Sequence, residues 1–137
     1  MNREIKFTGL FKTGDMVFGN LIIGNGIEGE PICQIEQTEG NEFRQWDVDP
    51  ETIGQYTGRK DKEGNDIFSG HVLECRTKYD DFTPPCYGQK TLIIYNEDKA
   101  RFEGSNSIGG SHKDLPDLLK YDMYIIGFIH QNPNLLK

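Results

Sequence analysis

The chain has 137 residues, 35 % of them hydrophobic and 11 % aromatic, and a formal net charge of −7. This length is typical of one domain, and the composition excludes a chain that is disordered throughout. The negative charge opposes contact with phosphate backbones and anionic membranes, so it disfavours non-specific nucleic-acid binding and membrane binding.

Three cysteines, Cys33, Cys75 and Cys86, have neither the number nor the spacing of a secreted disulfide framework or a zinc knuckle. Charged residues interrupt the first ten positions, and the apolar runs elsewhere are too short for a signal peptide or a membrane span. We therefore expect a protein of a reducing cytoplasm.

The first third of the chain predicts hairpins. Residues 5–7 alternate with polar neighbours, a turn follows at 12–15, and 16–23 is typical of a strand or two with a glycine kink, which predicts a β-hairpin. Residues 24–29 are loop-forming, and alternation resumes at 31–37.

The middle of the chain predicts a capped turn and a second hairpin. Asp49 followed by Pro50 is typical of the start of a helical turn. A turn at 60–65, in which Gly64 and Asn65 supply positive backbone torsions, separates 56–57 from 67–68 and predicts the hairpin.

The last third predicts strands at 72–76, 91–95 and 124–129, loops at 83–85 and 105–112, and a helix at 115–121. Asp114 is the expected cap of that helix. The whole pattern predicts an all-β or mainly β fold: short antiparallel strands and hairpins in a small barrel-like or sandwich-like domain, with one or two short helices, forming a single domain over residues 1–137.

Three patterns resemble catalytic or binding motifs, but none has the expected context. Residues 24–29 match GxGxxG, yet an alternating strand follows instead of the helix that would hold a pyrophosphate. His71 and Cys75 are spaced to share a strand face, which we interpret as a buried structural thiol beside a histidine. The acid pair Asp47 and Asp49 is interpreted as solvated turn residues. We therefore predict no catalytic residue, no cofactor and no metal ligand; an enzyme using Cys75, Cys86 or dispersed acids is the third-ranked hypothesis.

A local mixture of basic and aromatic residues is the candidate partner surface. It consists of Arg44, Trp46, Arg59, Lys60 and Lys62, which would contact an acidic protein surface or phosphate. Neighbouring acidic residues reduce its positive charge.

Three parts of the chain carry a family resemblance: residues 3–9 with 13–22, 48–58 with 61–68, and 126–133 with 135–136. Together they resemble the YopX family, found mainly in bacteriophages and prophages, and the most specific part is VDPETIGQYTG at 48–58. The resemblance implies a mostly β fold in a bacterial host cell and implies no activity, cofactor or binding site. We expect the motif residues to be structural: Asp49, Pro50, Thr52, Gly54, Tyr56, Gly58, Gly64, Gly70, Gly127, Asn132 and Pro133.

The chain departs from the family pattern at two places. Ser69, Gly70 and His71 stand where the family usually has an acid, glycine and aspartate, and Thr8 stands where arginine is usual. We interpret the position of His71 as structural, in a turn that enters the 72–76 strand.

These observations favour a non-enzymatic phage or prophage accessory protein that acts by binding. We expect it to form a homo-oligomer and to bind a host or phage protein through an exposed loop or strand edge, with aromatic residues at 43–46 and 79–87 as anchors. The alternative hypothesis is a nucleic-acid-binding protein of phage replication or packaging.

Overall fold

The computed structural model describes residues 5–77, 87–106 and 113–136. Their strands form two antiparallel sheets, one of them curled as a half-barrel, with very few helical turns. The prediction of a mainly β fold is therefore confirmed. The chain divides into two compact units, unit 1 (Met1–Tyr56) and unit 2 (Thr57–Lys137), and a single domain over 1–137 remains a prediction.

Unit 1 is a meander of antiparallel strands joined by short turns. Because each turn reverses the chain within a few residues, successive strands pair, and the order is β4-β3-β2-β1-β5. The predicted opening hairpin is confirmed. The loop predicted at 24–29 is a hairpin turn that begins after Asn25, because Gly24 and Asn25 still pair with β3. The strands are β1 (Phe7–Leu10), β2 (Met16–Asn25), β3 (Pro31–Glu39), β4 (Glu42–Asp47) and the first residues of β5 (Gly54–Lys60).

The predicted helical turn is present as a 3-10 turn, Pro50–Thr52, between β4 and β5. Asp49 caps it, because its carboxylate accepts a hydrogen bond of 3.0 Å from the N–H of Glu51. The hydroxyl of Thr52 accepts one from the N–H of Leu10 at 2.9 Å and donates one to the C=O of Asp49 at 2.7 Å. The turn is thereby attached to the end of β1.

Unit 2 contains the rest of β5, which pairs with β6 as the predicted second hairpin, and a five-stranded sheet of order β10-β9-β8-β7-β11. Its core includes Ile67, Leu73 and Ile93, all without solvent exposure. The elements are β6 (Asp66–Phe68), β7 (His71–Cys75), β8 (Lys90–Asn96), β9 (Arg101–Asn106), β10 (Lys113–Asp114), α1 (Leu115–Leu118), β11 (Met123–Phe128) and a 3-10 turn, Pro133–Leu136.

Several local predictions need correction. Strands β4 and β9 were not predicted, because charged residues interrupt their apolar alternation. Helix α1 ends at Leu118 rather than at residue 121, since the chain tightens into a turn there, and the side chain of Asp114 makes no capping hydrogen bond. Gly64 has a positive φ of 87°, whereas Asn65 does not. The predicted loop at 83–85, and residues 107–112 of the other, lie outside the described residues.

Candidate functional site

The five residues of the predicted partner surface are distributed between the units. Arg44 and Trp46 lie on β4 in unit 1, and Trp46 is half-buried opposite the fully buried Ile35. Arg59 and Lys60 lie on β5 in unit 2, and Lys62 lies in the turn that follows.

Most cations of this set are neutralised by carboxylates of their own unit. Arg59 is exposed and has no ion pair within the described ranges. Exposed ion pairs add little stability, but they offset the positive field that a phosphate would need. The pairs are Arg44 with Glu42 at 3.2 Å, Lys60 with Asp66, and Lys62 with Asp122 at 3.2 Å.

Strand β4 ends the sheet of unit 1 on one side, and most of it is open to solvent. Four consecutive residues, from Glu42 to Gln45, are exposed, and the ring of Phe43 is 58 % exposed. The opposite residue on β3, Thr38, is exposed as well. This edge is six residues long and pairs with β3 without a bulge.

The geometry of the β3–β4 hairpin decides which backbone groups of β4 are unpaired. Glu39 and Glu42 close a two-residue turn, so they exchange hydrogen bonds with each other, and the pattern then alternates along the strand. The N–H of Val48 donates a hydrogen bond of 3.0 Å to the C=O of Cys33 on β3. This bond fits the alternation, because Val48 is an even number of residues from Glu42. Phe43 and Gln45 therefore direct their N–H and C=O groups away from β3.

The other edge strands of the described sheets are protected. Strands β10 and β6 have two and three residues, which is too short for a template. Strand β11 is bulged at Gly127, and the turn after β5 covers its edge. There the carboxylate of Asp61 accepts the N–H of Ile125 at 3.1 Å, and the N–H of Lys62 donates to the C=O of Met123 at 3.0 Å.

The cysteine and histidine candidates are poorly suited to nucleophilic catalysis. Cys75 is in a disulfide, which corrects its interpretation as a free structural thiol, and a disulfide sulfur has no thiolate. Cys33 is free and half-buried, and burial together with the charge of Asp49 raises the pKa of its thiol. Cys86 lies outside the described residues.

His71 is buried at the start of β7, with 7 % of its surface exposed. Its Nδ1 accepts a hydrogen bond of 2.9 Å from the N–H of Phe68, and the rings of Phe68 and Phe128 flank it edge-on. Burial lowers the pKa of His71 to about 4, a change that the nearby charge of Asp61 partly opposes. Its ring thus serves as a neutral acceptor that closes the turn before β7.

A small polar cavity of about 230 Å³ lies in unit 2, between the turn after β5 and the start of β11. Lys60, Lys62 and Lys120 line it, but each is ion-paired with an aspartate. Asp61, in its wall, already accepts three backbone hydrogen bonds. Within the described part of the chain no cluster of three potential metal ligands occurs, and none of its helices is long and apolar enough to cross a membrane.

The eleven family-motif residues lie in turns and at strand ends, and several contact buried groups. A side chain at Gly70, where φ is 97°, would place its Cβ 2.5 Å from the ring of Phe128. Asp49, Pro50 and Thr52 form the capped turn; Gly54 and Tyr56 are buried on β5; Gly58 and Gly64 lie in the β5–β6 hairpin; Gly127 forms the bulge of β11; Asn132 and Pro133 start the last turn.

Sequence reasoning missed β4 as a strand and therefore missed its free edge. Residues 43–46 were expected to supply aromatic anchors, but nothing marked them as the end of a sheet. The pair Gly40 and Asn41 is a hairpin signal, and the strand-favouring residues Thr38 and Phe43 on either side of it would have supported that interpretation.

Comparisons with known proteins agree on the fold and give no activity. The chain is similar over 99 % of its length to the crystal structure of protein EF1440 from Enterococcus faecalis, with all of that chain covered, 21 % sequence identity and a TM-score of 0.58. No curated protein matches it. The family described as YopX protein matches residues 12–137, nearly the whole chain. The chain therefore belongs to the YopX family.

Proposed function

We propose that this chain is a non-enzymatic accessory protein of a phage or prophage, acting in the cytoplasm of the bacterial host, that binds other protein chains by strand addition to β4. The observation that carries the proposal is the unprotected edge at Phe43 and Gln45, whereas the other strands at the ends of the described sheets are short or covered. Strand addition uses backbone hydrogen bonds for affinity and neighbouring side chains for specificity. The exposed ring of Phe43 supplies an apolar contact of the kind that anchors interfaces.

A substitution that removes one edge donor tests the proposal. The N–H of Gln45 points away from β3, so Gln45→Pro deletes a donor that a partner strand needs and leaves the β3–β4 hydrogen bonds in place. Gln45→Thr keeps the donor and is the matched control. Tagged protein is used to capture partners from a bacterial lysate with and without nuclease, and retained proteins are identified and quantified.

We expect the proteins retained by the unsubstituted chain to be retained by the Gln45→Thr variant and lost with Gln45→Pro. Equal retention by both variants would refute binding through this edge. Retention that nuclease abolishes would favour the nucleic-acid alternative, which the ion pairs of Arg44, Lys60 and Lys62 weaken. Replacing Arg59, which has no ion pair within the described residues, by Ala tests that alternative directly.

A further inference from the structure

We propose that two copies of this chain pair β4 with β4 in antiparallel orientation, about a two-fold axis at Phe43. This inference rests on the proposed function and specifies one partner for the same edge: a second copy. It gives the residue register of the contact.

The available backbone groups limit the register. Only residues whose N–H and C=O face outward can form the closely spaced hydrogen-bonded pairs with a neighbouring strand. On β4 those residues are Phe43, Gln45 and Asp47. An axis at Trp46 or Asp47 would need the buried Val48 for its further pairs, so the axis of a symmetric pair lies at Phe43, at Arg44 or at Gln45. An axis between two adjacent residues would pair an outward-facing group with an inward-facing one.

Charge excludes the axis at Arg44. A two-fold axis there would place the two Arg44 side chains directly opposite each other, and like charges opposite each other across antiparallel strands destabilise the pair. The axis at Phe43 instead places Glu42 of each copy opposite Arg44 of the other. These two side chains already form an ion pair of 3.2 Å within one chain, so the dimer would join two such pairs into a four-membered network.

Accessibility disfavours the axis at Gln45. Over five residues that register would pair 43–47, where Trp46 is half-buried, and its next pair would need Val48, which is 7 % exposed. The axis at Phe43 needs only residues 41–45, and each of these residues is exposed. The register in which β4 is complementary to a second copy of itself therefore uses only the solvent-exposed part of the edge.

The same register explains why a large aromatic ring lies uncovered on the sheet face. On the axis, the ring of Phe43 would meet the ring of its symmetry mate, and directly opposed aromatic residues stabilise a strand pair. Five paired residues bury little surface, so the dimer is expected to be weak and in equilibrium with monomer.

Two variants with one introduced cysteine each distinguish the registers, both made with Cys33→Ser to remove the free thiol of the described residues. With the axis at Phe43, the Cα atoms of two Cys residues introduced by Phe43→Cys would be about 5.5 Å apart, within the span of a disulfide. Gln45→Cys places its thiol opposite Asn41 of the other copy and serves as the control. We expect Phe43→Cys to form covalent dimers under mild oxidation faster than Gln45→Cys; the reverse order would overturn the register.

Charge reversal provides a second test that leaves Phe43 intact. Arg44→Glu should weaken dimerisation about tenfold, because two opposite-charge pairs become like-charge pairs. Adding Glu42→Arg should restore it, because both pairs again have opposite charges. Sedimentation over a wide concentration range measures these effects; a chain that is monomeric throughout, or a double variant as weak as the single one, would overturn the inference. Capture of another protein that Gln45→Pro abolishes would then still support the proposed function.

Discussion

His71 should make the folded state sensitive to mild acid. The unfolded chain takes up a proton near the ordinary pKa of 6.5, whereas burial holds the pKa of the folded imidazole at about 4. Between these values the unfolded state binds more protons, so the free energy of unfolding falls as the pH is lowered through this window. The full difference corresponds to about 3 kcal/mol, of which about 2 kcal/mol is lost between pH 6.5 and pH 5.

The assay is urea unfolding at several pH values from 7.5 to 5, with His71→Asn as the reference. The Asn side-chain oxygen can accept the hydrogen bond from the N–H of Phe68 and does not titrate. The free energy of unfolding of the His71→Asn variant therefore lacks the pH dependence that His71 contributes, whatever the variant's absolute stability. We expect the unsubstituted chain to lose about 2 kcal/mol more than the variant over this range. Equal losses in the two proteins, or an NMR titration that places the pKa of His71 near 6.5, would refute the assignment of a buried neutral acceptor.

Three further substitutions test contacts within the units by urea unfolding. Thr52→Val should lower the free energy of unfolding by about 1 to 2 kcal/mol, because the N–H of Leu10 on β1 loses the hydroxyl that accepts its hydrogen bond. An unchanged free energy of unfolding would mean that water replaces the hydroxyl. Asp61→Ala should lower the free energy of unfolding by about 3 kcal/mol or more, since three backbone N–H groups lose the carboxylate that accepts their hydrogen bonds. A loss as small as that of an ordinary surface substitution would contradict this. Gly70→Ala should be more destabilising than Gly64→Ala, because both have positive φ but only the former meets the Phe128 ring; equal costs would show that the ring moves aside.

The sequence predicted the elements that local chemistry specifies. Asp49 and Pro50 mark a capped turn in any context, and the hairpins around 12–15 and 24–29 follow from turn residues between alternating strands. Strand β4 was missed because polar and charged residues stand beside Phe43 on one face and beside Trp46 on the other, as an edge strand permits. Its position at the end of a sheet depends on strand order, which pairs residues distant in sequence.

The contacts that cover the edge of β11 could not be predicted from the local sequence either. Asp61 appeared to be an ordinary turn residue, yet its carboxylate accepts the N–H of Ile125, 64 positions along the chain. Similarly, the role of His71 as the acceptor of the N–H of Phe68 is apparent only when the turn is formed.

The unequal treatment of the sheet edges has a consequence for the size of any assembly. A chain with two open edges adds copies at both ends and grows into a filament. A chain with one open edge occupies that edge in a single symmetric contact and can add no further copy. Because β6 and β10 are short and the turn containing Asp61 blocks β11, pairing through β4 closes on itself. Assembly through the described edges therefore stops at two copies, which permits an exposed strand without open-ended aggregation.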